Sequence, residues 1–333
     1  AGNRRTFTIS FWTKRTKING VKQYLFEAGN SDADHDRFTI RFGTGDTLDI
    51  QTSATYLITN RVFRDTAAWY HIVVKVDTTD GTAANRIKLY VNGVEETSFA
   101  TDNRANINQN FDFSVNNTEI HNIGSSPIEG GLPYNGYIAE WVQIDGTASA
   151  PTAFGEVDED SGIWKPINVS GLTFGTNGFY LDFEASGDLG NDANGGTDFT
   201  LVNIAAKDQA TDTPTNNFCT LNPLVNFKYT TNGIFEGGTQ YGNSTGGGKG
   251  GAFGTMAVTS GKWYWEVKLI QQVSHYIGVS AIDDGDDVKA TSDPEDVNST
   301  FNFNISAARI EYHNNGSKVN GSLDAFTDFH TAG

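Results

Sequence analysis

The chain has 333 residues, 37% of them hydrophobic, with a formal net charge of −17. Such an acidic surface repels phosphate backbones, and only Arg4-Arg5 and Lys14-Arg15 form even short basic patches, so nucleic-acid binding is not expected. No apolar run reaches the ~18 residues of a transmembrane helix, and a single cysteine, Cys219, excludes an intrachain disulfide and reads as a small buried hydrophobe.

The first segment, residues 1–148, is a series of short strand signals. In "RTFTISFWTKR", Phe7, Ile9 and Phe11 alternate with Thr6, Thr8, Ser10 and Trp12, the period of a half-buried strand. "QYLFEAG", "RFTIRFG", "TLDIQTS", "YHIVVKVD", "RIKLYVNGVEE" and "GYIAEWVQID" follow, separated by Gly, Asn and Asp turns. Asn92-Gly93 predicts a two-residue type I′ hairpin, because both central residues need positive φ. No long helical pattern competes, so the fold class expected is all-β.

Residues 149–220 differ: short apolar pieces (179–183, 199–202) sit in Gly-, Asn-, Asp- and Thr-rich chain. A structureless stretch this long is unusual in a compact protein, so its aromatics are expected to pack on a neighbouring domain. Residues 221–333 return to strand signals, the strongest being "TSGKWYWEVKL", where Trp263, Trp265 and Val267 share one parity. The glycine loop "STGGGKGG" lacks the ending and following helix of a phosphate loop.

The order of "FTISFWTKR", "AAWYHIVVKVD", "IKLYVNGVEE" and "GYIAEWVQID" resembles a laminin-G-like, concanavalin A-type jelly roll. "TSGKWYWEVKL" followed by "SHYIGVS" resembles a SPRY domain, with Trp263 and Trp265 expected in a sandwich core. The segment between, with "DEDSGIWKP", "GTNGFYLDF" and "ATDTPTNNFCTLNPL", is similar to the connector of virion structural proteins of marine tailed bacteriophages. The resemblance implies two antiparallel β-sandwiches joined by an ordered Asn/Gly-rich connector. It also implies strands before the first motif and after the last, absent from this sequence or supplied in trans.

Candidate chemistry is sparse. Glycoside hydrolysis needs two carboxylates about 5–10 Å apart. Glu140 and Asp145, five positions apart on one strand, fall on opposite faces roughly 16 Å distant, and Glu140 reads as a structural hydrogen-bonding group. The six histidines show no zinc spacing, and His71 reads as a wall residue. Calcium has a better case: Asp32, Asp34 and Asp36 in "SDADHD" open like an EF-hand loop, but Arg37 and Gly43 break that motif. A second acidic cluster is Asp283, Asp284, Asp286 and Asp287. Laminin-G-like domains often hold one Ca²⁺ at the sandwich rim, which is the single cofactor the resemblance allows. Sugar stacking would need exposed aromatics in loops, for which Tyr56, Tyr134, Trp164 and Tyr241 are the candidates.

These readings lead to a non-enzymatic virion structural protein, a tail, fibre or decoration part. Its loops would grip a host-surface glycan or a neighbouring subunit, as a homo-oligomer that would be threefold in a fibre. A bacterial surface adhesin and a polysaccharide depolymerase are the alternatives. The depolymerase would require a carboxylate pair within about 10 Å in a groove.

Overall fold

Alternation makes Thr6–Arg15 (β1) a long central strand, its Phe7, Ile9 and Phe11 turned into one apolar layer. The computed structural model describes residues 2–31, 36–52, 56–224, 232–243, 252–268, 270, 275–280, 300–306, 309–314 and 317–320. After β1 come β2 (Gln23–Ala28), β3 (Phe38–Phe42), β4 (Thr47–Gln51), β5 (Tyr56–Val62), β6 (Tyr70–Asp77), β7 (Ile87–Val91), β8 (Val94–Glu95), β9 (Phe99–Asp102), β10 (His121–Ile123) and β11 (Gly136–Asp145). Then follow β12 (Gly155–Val157), β13 (Trp164–Pro166) and β14 (Phe179–Leu181). Helix is confined to three-residue 3-10 turns among the described residues, so the protein is all-β.

Two six-stranded antiparallel sheets face each other, as in a jelly roll. Sheet A runs β14-β11-β1-β6-β7-β8, and sheet B runs β10-β2-β3-β4-β5-β9. Phe7, Phe11, Phe26, Phe38, Phe42, Phe113 and Trp141 fill the space between them, and the Phe11 ring stacks on Trp141 at 4.4 Å. Each such fully buried apolar side chain contributes about 1.5–3 kcal/mol of transfer free energy. Asn92 and Gly93 take φ of 49° and 80° and close the β7–β8 hairpin, as their sequence requires. A bulge opposite Phe11 breaks the β1–β11 register, with Glu140 at φ 50°. It allows Ile138 and Trp141, three apart, both to face the core, and sends Val142 and Ile144 to the other side.

That other side of sheet A is not wet. Val73, Val142 and Ile144 pack under Phe154, Val169 and Phe174 in a second apolar cluster. Ser10 and Trp12, on the polar-looking parity of β1, are accordingly buried. The cover is built by residues 149–180: β12 pairs with β13, and β14 extends the sheet beside β11. Further on, Asp212 accepts hydrogen bonds from the Lys14 ammonium at 2.7 Å and the Trp69 indole at 2.8 Å. Lys14 also donates to Asn217 Oδ1 and to the Phe218 carbonyl. The whole segment up to Thr220 therefore belongs to one compact unit, Ala1–Thr220, and Leu221–Gly333 forms the other. Cys219 departs from its sequence reading: it is exposed, at the end of this polar segment and outside either apolar cluster.

In the second unit, β15 (Asn232–Phe235) and β16 (Gln240–Asn243) form a hairpin. β17 (His275–Ser280), β18 (Thr300–Ser306), β19 (Arg309–Asn314) and β20 (Ser317–Asn320) form an antiparallel sheet in that order. The expectation for "GKWYWEVK" is not met. Residues 261–268 carry no strand, and Trp263, Tyr264 and Trp265 are 67%, 82% and 49% exposed. Alternation yields a buried strand only where a partner strand and an opposing layer meet it, and among the described residues neither does.

Candidate functional site

The polar parity of β3 and β4 builds the densest set of functional groups in the first unit. Phe38, Ile40 and Phe42 face the core, so Thr39 and Arg41 turn to the outer face of sheet B. In β4, Leu48 and Ile50 face in and Asp49 and Gln51 face out. The register places Tyr24, Arg41 and Asp49 directly opposite one another across β2, β3 and β4. Arg41 Nη1 donates to the Tyr24 hydroxyl oxygen at 2.6 Å, and its Nε lies 3.5 Å from Asp49 Oδ2. Arg37, just before β3, donates from Nε to Glu27 Oε1 at 3.0 Å.

A turn from elsewhere in the chain covers this ladder. Ser126 to Gly131 closes on itself through the Gly131 amide, which donates to the Ser126 carbonyl at 2.8 Å. Gly130 and Gly131 hold φ of 78° and 101°, a conformation that favours glycine. Glu129, carried by this turn, accepts from the Tyr24 hydroxyl and from Lys22 Nζ at 2.9 Å. Its Oε1 also lies 3.4 Å from Arg37 and 3.5 Å from Arg41. Ser126 Oγ donates to Glu27 Oε1 at 2.9 Å and accepts from the Glu129 amide.

Among the described residues, charges balance in the cluster: Lys22, Arg37 and Arg41 meet Glu27, Asp49 and Glu129. Balance is needed, since an unpaired buried ion costs several kcal/mol. Burial opposes ionisation of Glu129, but hydrogen bonds from Tyr24 and Lys22 and the charges of Lys22 and Arg41 outweigh it and hold the carboxyl at about 2. Tyr24 is pushed up, first by burial and then by its bond to Glu129. Asp49 is raised by burial, against the pull of Thr47 and Arg41.

Residues 2–151 match the family profile described as the concanavalin A-like lectin/glucanases superfamily. Over these residues the first sandwich is similar to the domains of that superfamily. Among solved structures, a heptameric SAP-like pentraxin from Limulus polyphemus is 18% identical, covering 44% of this chain and 67% of that one, at a TM-score of 0.32. A leech intramolecular trans-sialidase is 22% identical over 44% of this chain but 22% of its own, at a TM-score of 0.32. The CBM40 of the Ruminococcus gnavus IT-sialidase, bound to α2,3 sialyllactose, is 19% identical over 40% and 70%, at 0.29. None of the curated proteins compared matches the chain.

The first sandwich does not bring the sequence-predicted residues together. Tyr134 is no surface platform: its ring packs against the main core and its hydroxyl accepts from Thr13 at 2.6 Å and donates to the Lys14 carbonyl at 2.9 Å. Trp164 lies on the outer face of sheet A. Its indole stacks 5.9 Å from the His71 ring and donates to His71 Nδ1 at 2.9 Å. An added Cβ at Gly93 or Gly155 would meet that indole at 2.7 Å, so the ring is held between two glycines. Both aromatics are consumed by packing. Tyr56 pairs its backbone with Gln51, and its side chain lies outside the described residues. Tyr241 is half-buried in the second unit, opposite Ile234. Asp32 and Asp34 lie outside the described residues, as do Asp283, Asp284, Asp286 and Asp287. Asp36 pairs with Arg4, and its carbonyl accepts from the Ser114 amide at 2.7 Å, so it is engaged in holding the fold. Among the described residues, no three His, Cys, Asp or Glu side chains group to hold a metal. Glu140 accepts from the Tyr180 hydroxyl.

Sequence reasoning missed Tyr24, Glu27, Arg37, Arg41, Asp49 and Glu129. The signal for part of the set was present: "RFTIRF" and "TLDIQ" each put polar residues on a single parity. Glu129 had none, since its partner Arg37 is 92 positions away.

Proposed function

We propose that the protein is a non-enzymatic structural protein of a tailed-phage particle that offers the outer face of sheet B to a surface glycan. The Tyr24–Arg41–Asp49 ladder, buried under the Ser126–Gly131 turn, carries the binding part of this reading once that turn opens. Fixed guanidinium donors, carboxylate acceptors and a phenol ring in register are what sugar hydroxyls and ring faces engage. The lectin/glucanase description of the matching family agrees with a saccharide ligand. The particle setting rests on the motif order and on "DEDSGIWKP" and "GTNGFYLDF" in the connecting segment. Many copies on an extracellular particle, threefold in a fibre, turn a weak site into firm attachment. A bacterial adhesin would use the same face. A glycan array probed with the intact protein tests the binding part, and antibody labelling of assembled particles tests the setting. Failure of both removes this reading.

One observation favours hydrolysis as a second reading. Asp49 and Glu129 both reach the Arg41 guanidinium, and their environments push the two carboxyls in opposite directions. Binding is preferred because Arg41 itself stands against both carboxylates, where the scissile bond would lie. Release of reducing ends from neutral or acidic polysaccharides, lost in Asp49→Asn, would reverse that preference.

A further inference from the structure

The cradle around Glu129 is made by elements that do not depend on the turn that fills it. Tyr24 and Arg41 are fixed by the β2–β3 register, and Arg37 by its bond to Glu27. Four donor groups, those of Lys22, Tyr24, Arg37 and Arg41, converge on one carboxylate that arrives from a separate turn. Two side chains hold the turn to the ladder, Glu129 and the buried Ser126, whose Oγ reaches Glu27, while Pro127 and Gly130 are exposed. Beside it, Glu27 is fully buried, and its Oε2 has no hydrogen-bond partner among the described residues. A buried carboxylate oxygen left so is an acceptor short of a donor.

We propose that Glu129 is a tethered stand-in for the carboxylate of an acidic saccharide, which displaces the Ser126–Gly131 turn and takes its place among Arg37, Arg41, Lys22 and Tyr24. A neighbouring sugar hydroxyl then donates to Glu27 Oε2. This rests on the glycan-binding reading and narrows it to uronic or sialic acids. A carboxylate on a short tether competes at an effective concentration of order millimolar, so single weak ligands are masked and clustered acidic chains are selected.

The test is calorimetric titration of the intact protein, its Glu129→Gln variant and its Ser126→Ala variant. The probes are 3′-sialyllactose, a galacturonate trisaccharide and neutral lactose. Glu129→Gln is expected to bind at least one acidic probe about tenfold more tightly than the parent, with lactose unchanged and the gain reduced by salt. Ser126→Ala, which loosens the turn but keeps its charge, is expected to fall between, and carries the test if Glu129→Gln does not fold. Acidic probes bound no better by either folded variant would overturn the proposal. Lactose binding without discrimination would overturn it while leaving glycan binding intact, whereas no saccharide bound by any form would remove both.

Discussion

His71 shows how a single side chain is disposed of by its surroundings. Its ring stacks between Trp12 at 4.7 Å and Trp164 at 5.9 Å, with Nδ1 accepting from Trp164 and Nε2 against Ser10 Oγ at 2.8 Å. Nδ1 accepts, so Nε2 holds the proton, and the ring is neutral. Burial pushes its pKa down to about 3. The unfolded chain therefore takes up a proton near pH 6.5 that the folded chain refuses. Stability is intact above about 6.5 and falls by about 1.4 kcal/mol per pH unit as pH drops toward 3. Half-buried His121 adds in the same direction. Urea unfolding of His71→Gln at pH 7 and pH 5 should show a smaller pH dependence than the parent; an equal one would mean His71 is charged or exposed. Gly155→Ala sets a methyl against the Trp164 ring and should cost about 1–3 kcal/mol in the same assay.

At the level of elements, the inner faces of the strands were legible because period two survives in Phe7, Ile9 and Phe11 and in Phe38, Ile40 and Phe42. The Asn92-Gly93 hairpin was legible because few residues tolerate its dihedrals. The cover on sheet A was not, since Ser10 and Trp12 look like a solvent face until residues 149–180 fold over them. The bulge at Glu140 was hidden for a related reason: an extra residue breaks the parity on which strand reading depends. The candidate site was half legible. Arg41 and Asp49 announce an outward polar side, but the turn that seals them is joined to them by tertiary packing alone.

The cover also predicts which pieces stand alone. A fragment ending at residue 148 bares Val73, Val142 and Ile144, and should melt lower or aggregate against one ending at Thr220. Equal melting of the two would refute the role of the cover. Lys14, fully buried, is the clamp at the far end of that segment. Lys14→Met leaves Asp212 buried with Trp69 as its remaining donor and should cost about 3–5 kcal/mol in urea unfolding, with earlier proteolysis between residues 205 and 220. Proteolysis unchanged would show that Asp212 does not hold the segment.

For the whole molecule, a net charge of −17 sets the terms of any encounter with an acidic partner. Long-range repulsion slows approach at low ionic strength, so association should quicken as salt is added, even while salt weakens the contact at the cradle. Division of labour between the units follows: Ala1–Thr220 has two packed apolar clusters and a neutralised polar ladder, while Leu221–Gly333 exposes Trp263, Tyr264 and Trp265. The central claim concerns the first unit, that its sheet-B outer face is the ligand face. Hydrogen–deuterium exchange of the intact protein with and without a saccharide found on the array tests it most directly. Protection is predicted at residues 22–27, 37–41 and 47–51, with faster exchange in the displaced 126–131 turn; protection confined to the sheet-A cover, or to the second unit, would contradict it.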